Sequence, residues 1–418
     1  MKNLKVVELF AGVGGFRLGL EAANKEFFDI SWANQWEPSR KSQDAYECYV
    51  ENFGEGPDEA SNNDIAAVRD EFFADVTPDL VVGGFPCQDY SVARSKSGEK
   101  GIEGKKGVLF WEIKRVLEAG QPKYVLLENV DRLLKTPSKQ RGRDFGVMLA
   151  TFAALDYTVE WRVINAAEYG FAQRRRRVFI FAYKNDIHFD KVQREYTPKE
   201  IVYEKGFFAK PFKVQKEAYK GRENKTELED DLLNVSDNFS FQFHPAGIMR
   251  DWKIYSSHVQ AVPMEPTPLR DIILPEEEVD EKYYLTEEQI KKFEYLRGPK
   301  RKERVSKDGH KYVYSEGGMS PVDDLDKPGR TMLTSEGSTN RSTHIIEVNG
   351  RRRFLTPIEC ERLNGFPDNW TAGMSDRMRY FTMGNALVVG LVEIMGKRIE
   401  EIERESGEEE AQLSLFLT

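Results

Sequence analysis

The sequence predicts an α/β protein: a doubly wound, mixed and mostly parallel sheet of Rossmann-like type, joined to a second, smaller, loop-rich domain. Three observations predict it. Short apolar runs rich in β-branched residues end in glycine or polar turns, and amphipathic stretches at helical spacing follow them. Strands and helices that alternate in this way build a parallel sheet covered on both faces. Between about residues 185 and 349 the alternation gives way to prolines and charge clusters. With 418 residues and domains of about 100 to 200 residues, the chain is long enough for two or three packed units.

The first strand is Val6-Val7-Glu8-Leu9-Phe10, which ends at Ala11-Gly12-Val13-Gly14-Gly15 before Leu18, Leu20 and Ala22 at helical spacing. The unit recurs at Asp79 to Val82 before Gly83-Gly84, and at Lys123 to Leu127 before Glu128-Asn129, with the amphipathic stretch Phe110 to Leu117 between them. The strand Arg177 to Tyr183 closes this region near residue 184. Beyond it, acidic clusters (Glu227, Glu229, Asp230, Asp231; Glu276 to Glu278) alternate with a basic one (Arg297, Lys300, Arg301, Lys302, Arg304). Ordered patterning returns in Thr356 to Leu363, a helix started by Pro357, and in a helix from Asn385 to Ile399. The acidic tail from Glu400 to Thr418 is expected to fray. The expected boundaries are therefore 1–184, 185–349, 350–400 and 401–418.

Composition excludes several classes. Hydrophobic residues make up 40%, charged residues 31% and aromatic residues 12%, which is neither a disordered nor a membrane composition. The apolar run Ala386 to Val392 is far short of the roughly 20 residues that cross a bilayer. The N-terminus enters a strand without the apolar core of a secretory signal, so a cytoplasmic protein is expected. Three cysteines, Cys48, Cys87 and Cys360, are widely spaced and without a Cys-x-x-Cys pair; no disulfide and no metal site is expected. The net charge of -9 argues, by itself, weakly against a nucleic-acid partner.

In an open α/β sheet ligands bind outside the carboxyl ends of the strands, so the turns should face one crevice. The turn Phe10 to Gly15 offers bare backbone beside a helix N-terminus, a surface for a nucleoside-bearing ligand; a tight strand-to-helix connection is the plainer reading. Gly83-Gly84-Phe85-Pro86-Cys87-Gln88-Asp89-Tyr90-Ser91 holds a cysteine on a loop stiffened by Gly and Pro, where a nucleophile would sit, although an isolated cysteine is more often an inert, small hydrophobe. Glu128 follows five mostly apolar residues, and burial there favours a neutral, proton-donating carboxyl; a cap or ion pair is the alternative. Gln173-Arg174-Arg175-Arg176-Arg177 begins a strand, so Arg175 and Arg177 share a face, unless the run is simply a solvated edge.

Together, and in this order, these segments resemble the DNA (cytosine-5) methyltransferases. The matching motifs are Phe-x-Gly-x-Gly at Phe10 to Gly14, Pro-Cys-Gln at Pro86 to Gln88, Glu-Asn-Val at Glu128 to Val130 and Gln-x-Arg-x-Arg at Gln173 to Arg177. Arg353 to Pro367 and Gly384-Asn385-Ala386 complete the pattern. The resemblance covers residues 1 to about 184 and 350 to 400. It implies that the Cys87 thiolate adds to cytosine C6, that Glu128 donates a proton at N3, and that Arg177, with Arg175 beside it, holds O2. The implied cofactor is S-adenosyl-L-methionine, leaving S-adenosyl-L-homocysteine, with no metal. Phe10, Ala11, Gly12, Gly14 and Gly15 would surround it, with Asp64 and Ile65, Gly84, Pro86, Leu109, Asn385 and Ala386 contributing. Trp36 would stack on the adenine. The family commonly has an acid directly before that ring, whereas here Gln35 precedes Trp36 and Glu37 follows it, so either could reach the ribose.

A cytosine in a duplex must leave the stack before its C5 and C6 can be reached, at a cost of a few kcal/mol. The segment Ser91 to Gly107, with Arg94, Lys96, Lys100, Lys105 and Lys106, reads as the lid that closes on DNA, and Gln88, Ser91, Arg94 and Lys96 are expected to contact it. Basic clusters at Arg94 to Lys106, Arg132 to Arg143, Arg297 to Arg304 and Arg351 to Arg353 are expected on phosphates. The small polar stretch Thr331 to Arg341, with Thr334, Ser335, Asn340 and Arg341, is expected to read bases. The resulting expectation is a monomeric, sequence-specific methyltransferase of double-stranded DNA, the modification arm of a prokaryotic restriction system with a partner endonuclease. An RNA cytosine methyltransferase of the same fold and a binding protein that has lost catalysis are the competing readings.

Overall fold

The apolar runs become the centre of one large sheet in the computed structural model, which describes residues 3–38, 40–56, 58–85, 109–215, 222–305 and 309–416, with side chains through 409. Contacts divide the chain into two units: Met1–Tyr169, Arg176–Met264 and Val389–Thr418 form the first, and Gly170–Arg175 with Glu265–Val388 the second.

In the first unit, strand β1 (Leu4–Leu9) leads to helix α1 (Gly15–Asn24), β2 (Phe28–Asn34) to α2 (Asp44–Phe53), and β3 (Ala60–Ser61) to α3 (Asp70–Val76). Then come β4 (Leu80–Gly84), α4 (Leu109–Gly120), β5 (Tyr124–Val130), α5 (Arg143–Ala154), β6 (Tyr157–Asn165) and β7 (Arg176–Lys184). The unit continues through α6 (His188–Arg194), α7 (Pro198–Glu200), β8 (Glu223–Glu227), α8 (Leu232–Asn238), β9 (Ala246–Arg250) and β10 (Lys253–Ser257). The ten strands lie in the order β3-β2-β1-β4-β5-β7-β6-β9-β10-β8. From β3 to β5 neighbours run parallel, and from β5 to β8 they run antiparallel. The parallel half explains the unbroken apolar runs, because helices cover both faces: Val6, Val7 and Leu9, then Leu80 to Val82, then Tyr124 to Leu127 are all buried.

The boundary expected at residue 184 lies inside this unit. Strand β9 pairs with β6, with Val159 opposite Met249 and Arg162 opposite Ala246, so the chain to Met264 extends the sheet instead of starting a second domain. The joining hairpin explains why it was hidden. Asp251 and Trp252, both at positive φ (51° and 66°), form the two-residue turn between Arg250 and Lys253, a geometry usually marked by Asn-Gly or Asp-Gly.

The C-terminal helix runs from Val389 to Phe416, well past the expected Ile399. Its acidic residues are anchored instead of fraying: Glu400 accepts from Asn24 (2.8 Å), and Glu403 accepts from the Tyr124 hydroxyl (2.7 Å). Ile399 and Ile402 are buried. The helix packs on α1 through small residues, since a Cβ on Gly19 would lie 2.5 Å from that of Val392. No helix among the described residues is long and apolar enough to cross a membrane.

Glu8 is fully buried in β1, where its Oε2 accepts from the Tyr49 hydroxyl (3.0 Å). Burial pushes its carboxyl up from 4.5 to about 7, against the opposing pull of Tyr49 and Arg17. Between pH 4.5 and 7 the unfolded chain then ionises at this position while the folded chain keeps its proton, so stability falls as pH rises. The shift corresponds to a loss of roughly 3 kcal/mol across that window. In urea melts from pH 4.5 to 8, Glu8→Gln should flatten this part of the profile; an unchanged slope would show that Glu8 does not titrate there.

The second unit contains α9 (Glu287–Arg297), the hairpin β11 (Lys300–Val305) and β12 (Lys311–Glu316), the hairpin β13 (Ile345–Val348) and β14 (Arg351–Phe354), α10 (Pro357–Asn364) and α11 (Asp376–Asn385). Residues 350 to 388, expected to return to the catalytic domain, belong here. Helix α10 starts with a capping box between Thr356 and Glu359 and a Pro at its first turn, and ends at Gly365 with φ of 78°. Several arginines expected on phosphates are internal ties. The Arg297 guanidinium donates to the Ser320, Pro321 and Thr343 carbonyls and to Asp323, and Arg353 is 1% exposed against Glu359. Arg351 and Arg352 pair with Glu281, Glu294 and Glu347.

Candidate active site

The first turn needs its glycines. Gly12 and Gly14 have φ of 59° and 86°, the left-handed region that costs other residues about 1–2 kcal/mol, and Phe10, at 55°, bears that cost. At Gly14 a Cβ would also stand 2.3 Å from the Phe53 ring. At Gly12 the added Cβ would meet no atom of the described residues within 4 Å, so none of them crowds this backbone. Ala11 is buried and donates its N–H to the Asn34 carbonyl (2.9 Å), and Gly15 begins α1.

The end of the second strand ties this turn and the third strand together. Gln35 Oε1 accepts from the Gly12 N–H at 2.8 Å, and Asn34 donates to the carbonyls of Ser61 and Asn63. Gln35 is thereby committed to shaping the glycine turn, a function that sequence reading missed. Trp36 is 37% exposed, so its ring is not core. Burial raises the Glu37 carboxyl above its ordinary range, with Arg40 opposing; its Oε2 makes no hydrogen bond, and Arg40 Nε lies 3.5 Å away. Asp64 caps a short turn by accepting from the Ala66 N–H (3.0 Å), and Ile65 is buried. The carboxylate acceptors, the exposed Trp36 ring and the backbone at Gly12 suit a nucleoside-bearing cofactor.

A second cluster forms where β4, β5 and β7 meet. Glu128 is opposite Gly84 on β4, where a Cβ would come 3.4 Å from its Oε2. Arg177 is opposite Val130, so it shares a face with Glu128, and its Nε lies 2.7 Å from Glu128 Oε1. Glu128 is 8% exposed. Asn129 donates to the Phe85 carbonyl (2.7 Å) and so fixes the exit of β4 immediately before residue 86. Leu109 starts α4, half-buried against the core. Pro86, Cys87, Gln88, Ser91, Arg94 and Lys96 lie outside the described residues, as does the proposed lid to Gly107.

Arg175, expected on one strand face with Arg177, lies off that strand, which begins at Arg176, and it belongs to the second unit. It is 1% exposed and donates to the carbonyls of Met332 (3.2 Å) and Gly384 (3.0 Å). Its guanidinium is a structural tie. Gln173 serves the same segment through Asn364 and the Met332 N–H. Asn385 ends α11 and is exposed, and Ala386 caps that helix through the Thr382 carbonyl.

In the loop expected to read bases, Thr334 and Ser335 are exposed, as is Leu333. Asn340 and Arg341 hold the loop's shape instead. Asn340 Oδ1 accepts from the N–H groups of Ser342 and Thr343, and its Nδ2 donates to the Ser335 carbonyl (2.9 Å) and Thr343 hydroxyl. Arg341 pairs with Glu316 at 2.6 Å.

Comparison with known proteins bears on the reaction. The chain is 57% identical to Type II methyltransferase M.Sau3AI of Staphylococcus aureus over 418 residues, covering 100% of both proteins. It is 26% identical to Type II methyltransferase M.HhaI of Haemophilus parahaemolyticus over 400 residues, 96% of this chain and 95% of that one. Its fold is similar to the crystal structure of S. pombe Dnmt2 methyltransferase, with a TM-score of 0.59 and 16% identity over 96% of this chain and 99% of the other. The family model of C-5 cytosine-specific DNA methylases matches residues 4–401, and the chain belongs to that family.

Proposed function

We propose that this DNA (cytosine-5) methyltransferase acts on a cytosine turned out of double-stranded DNA, through a transient bond from Cys87 to C6. The observation that carries the reading is the contact of Glu128 with Arg177 at 2.7 Å. N3 and O2 are neighbours on the cytosine ring, so a carboxyl and a guanidinium already in contact are spaced to meet both. Addition of the Cys87 thiolate to C6 breaks the C5–C6 double bond and drives electrons toward N3 and O2. Glu128 passes a proton to N3, and Arg177 stabilises the charge at O2. C5 becomes nucleophilic as a result. S-adenosyl-L-methionine, when bound, supplies an electrophilic methyl group and leaves as S-adenosyl-L-homocysteine. Loss of the C5 proton to solvent then re-forms the double bond and expels the thiolate while N3 gives its proton back to Glu128, leaving neutral 5-methylcytosine; no step requires a metal.

The chain's part in holding the cofactor falls to the Phe10 to Gly15 turn, with the backbone at Gly12, to the exposed Trp36 ring for the adenine, and to Glu37 for the ribose. Gln35 already spends its side-chain oxygen on Gly12, which favours Glu37. The exposed Thr334 and Ser335 face DNA as part of a target-recognition unit. The protein works as a monomer, paired genetically with an endonuclease of the same specificity.

The deciding experiment offers tritiated S-adenosyl-L-methionine with duplex DNA or tRNA. Label should enter duplex DNA only, and bisulfite sequencing of a plasmid from expressing cells should give one short motif. Label confined to tRNA would overturn the DNA reading.

A further inference from the structure

The β11–β12 hairpin of the second unit has no buried face: nine of its twelve strand residues are exposed and the other three partly so. Two-stranded ribbons are marginal on their own, so its surface serves no core. Between residues 300 and 316 the sequence carries six Lys or Arg against three Asp or Glu, in a chain of net charge -9. The pairing register sorts them. Lys300 is opposite Glu316, Lys302 opposite Tyr314 and Arg304 opposite Tyr312, and directly opposed residues share a face. One face is therefore a cation row beside a tyrosine row. The other carries Arg301, Glu303 and Val305 against Lys311, Val313 and Ser315.

The cations of the first face are held in place. The Arg304 guanidinium stacks 4.1 Å from the Tyr314 ring centre, and Lys302 Nζ lies 3.2 Å from the hydroxyl of Tyr295 on α9. The one carboxylate on this face, Glu316, is already neutralised by Arg341 (2.6 Å) and Lys300 (3.5 Å). Lys302 and Arg304 form no ion pair among the described residues.

We propose that this face of the hairpin grips the phosphates of duplex DNA, with Lys302 and Arg304 as the contacts and the tyrosines fixing their direction. The inference rests on the DNA reading above. A two-stranded ribbon fits the major groove, about 12 Å wide, and an acidic chain needs a local cationic surface to hold a polyanion. Arginines held flat against a tyrosine lose less freedom when a phosphate arrives.

Because phosphate contacts do not depend on sequence, the full-length protein can be tested on a mixed-sequence duplex by fluorescence anisotropy across a salt series. Lys302→Ala/Arg304→Ala should lower the slope of log affinity against log salt by about 2. Lys302→Arg/Arg304→Lys should restore it. Arg301→Ala/Lys311→Ala removes the same charge from the opposite face and should change the slope by less than half as much. An unchanged slope in the first variant, an equal loss in the opposite-face variant, or a loss confined to tRNA binding overturns the proposal while leaving the DNA reading intact. A parallel loss of S-adenosyl-L-methionine affinity in the first variant also counts against a surface role. Failure of the unsubstituted protein to bind any duplex overturns both.

Discussion

Replacing Cys87 with alanine abolishes methyl transfer to duplex DNA, lowering single-turnover rates by about 10⁴-fold or more, while binding of DNA and of S-adenosyl-L-methionine stays measurable. The size of the effect follows from the chemistry. Cytosine C5 is too weak a nucleophile to take a methyl group until a neighbouring atom has been attacked, so the thiolate opens the only path proposed here. The groups proposed to act with it are held by β5 and β7: Asn129 donates to the Phe85 carbonyl at 2.7 Å, and Glu128 stands beside Arg177 at the same distance. Alanine removes the sulfur and leaves these untouched, which separates chemistry from binding. A duplex carrying 5-fluorocytosine gives the second measurement, because fluorine cannot leave as the C5 proton does. The unsubstituted protein should form a conjugate that survives denaturation, and Cys87→Ala should form none. Turnover retained in the variant would move the nucleophile elsewhere.

The motifs proposed to carry this chemistry are local, and the strands that lead into them were legible for that reason. Strands β1, β4 and β5 are apolar on both faces, so each reads as a continuous run with a glycine or polar end. The long antiparallel extension was not legible, because its hairpin turns at Asp251-Trp252 and lacks the glycine that marks such a turn. The acidic C-terminus looked like a solvated tail, yet Tyr124 and Asn24, distant in sequence, give its glutamates partners. Arginines misled in the same way. Arg175 and Arg177 are two residues apart and chemically identical, but one ties backbone carbonyls and the other meets a carboxylate. Composition cannot separate them, since the partner decides and partners are long-range. Asn340 and Gln35 show the converse: polar residues that suit a ligand in sequence are spent on holding loops.

Glu359→Ala should destabilise the second unit by about 3–5 kcal/mol, the typical cost of stranding one partner of a buried ion pair. Glu359 is fully buried, and its two oxygens accept from both terminal nitrogens of Arg353 (2.8 and 2.7 Å), from the Thr356 N–H (2.7 Å) and from the Leu274 N–H (2.8 Å). Removing it leaves a guanidinium without a counter-charge at 1% exposure and loosens the N-terminal cap of α10. Set against a usual domain stability of about 5–15 kcal/mol, that loss removes at least about a fifth of the margin. The pair itself contributes less than its removal costs, since burying two charges consumes most of their attraction. Arg353→Met/Glu359→Leu should therefore be more stable than Glu359→Ala, although both leave the Thr356 and Leu274 N–H groups unmatched. Amide hydrogen exchange of α10 across a urea series, which reads the second unit alone, would give the order. If the double variant proved the less stable, the pair would be a net source of stability and the stranded charge would not explain the loss.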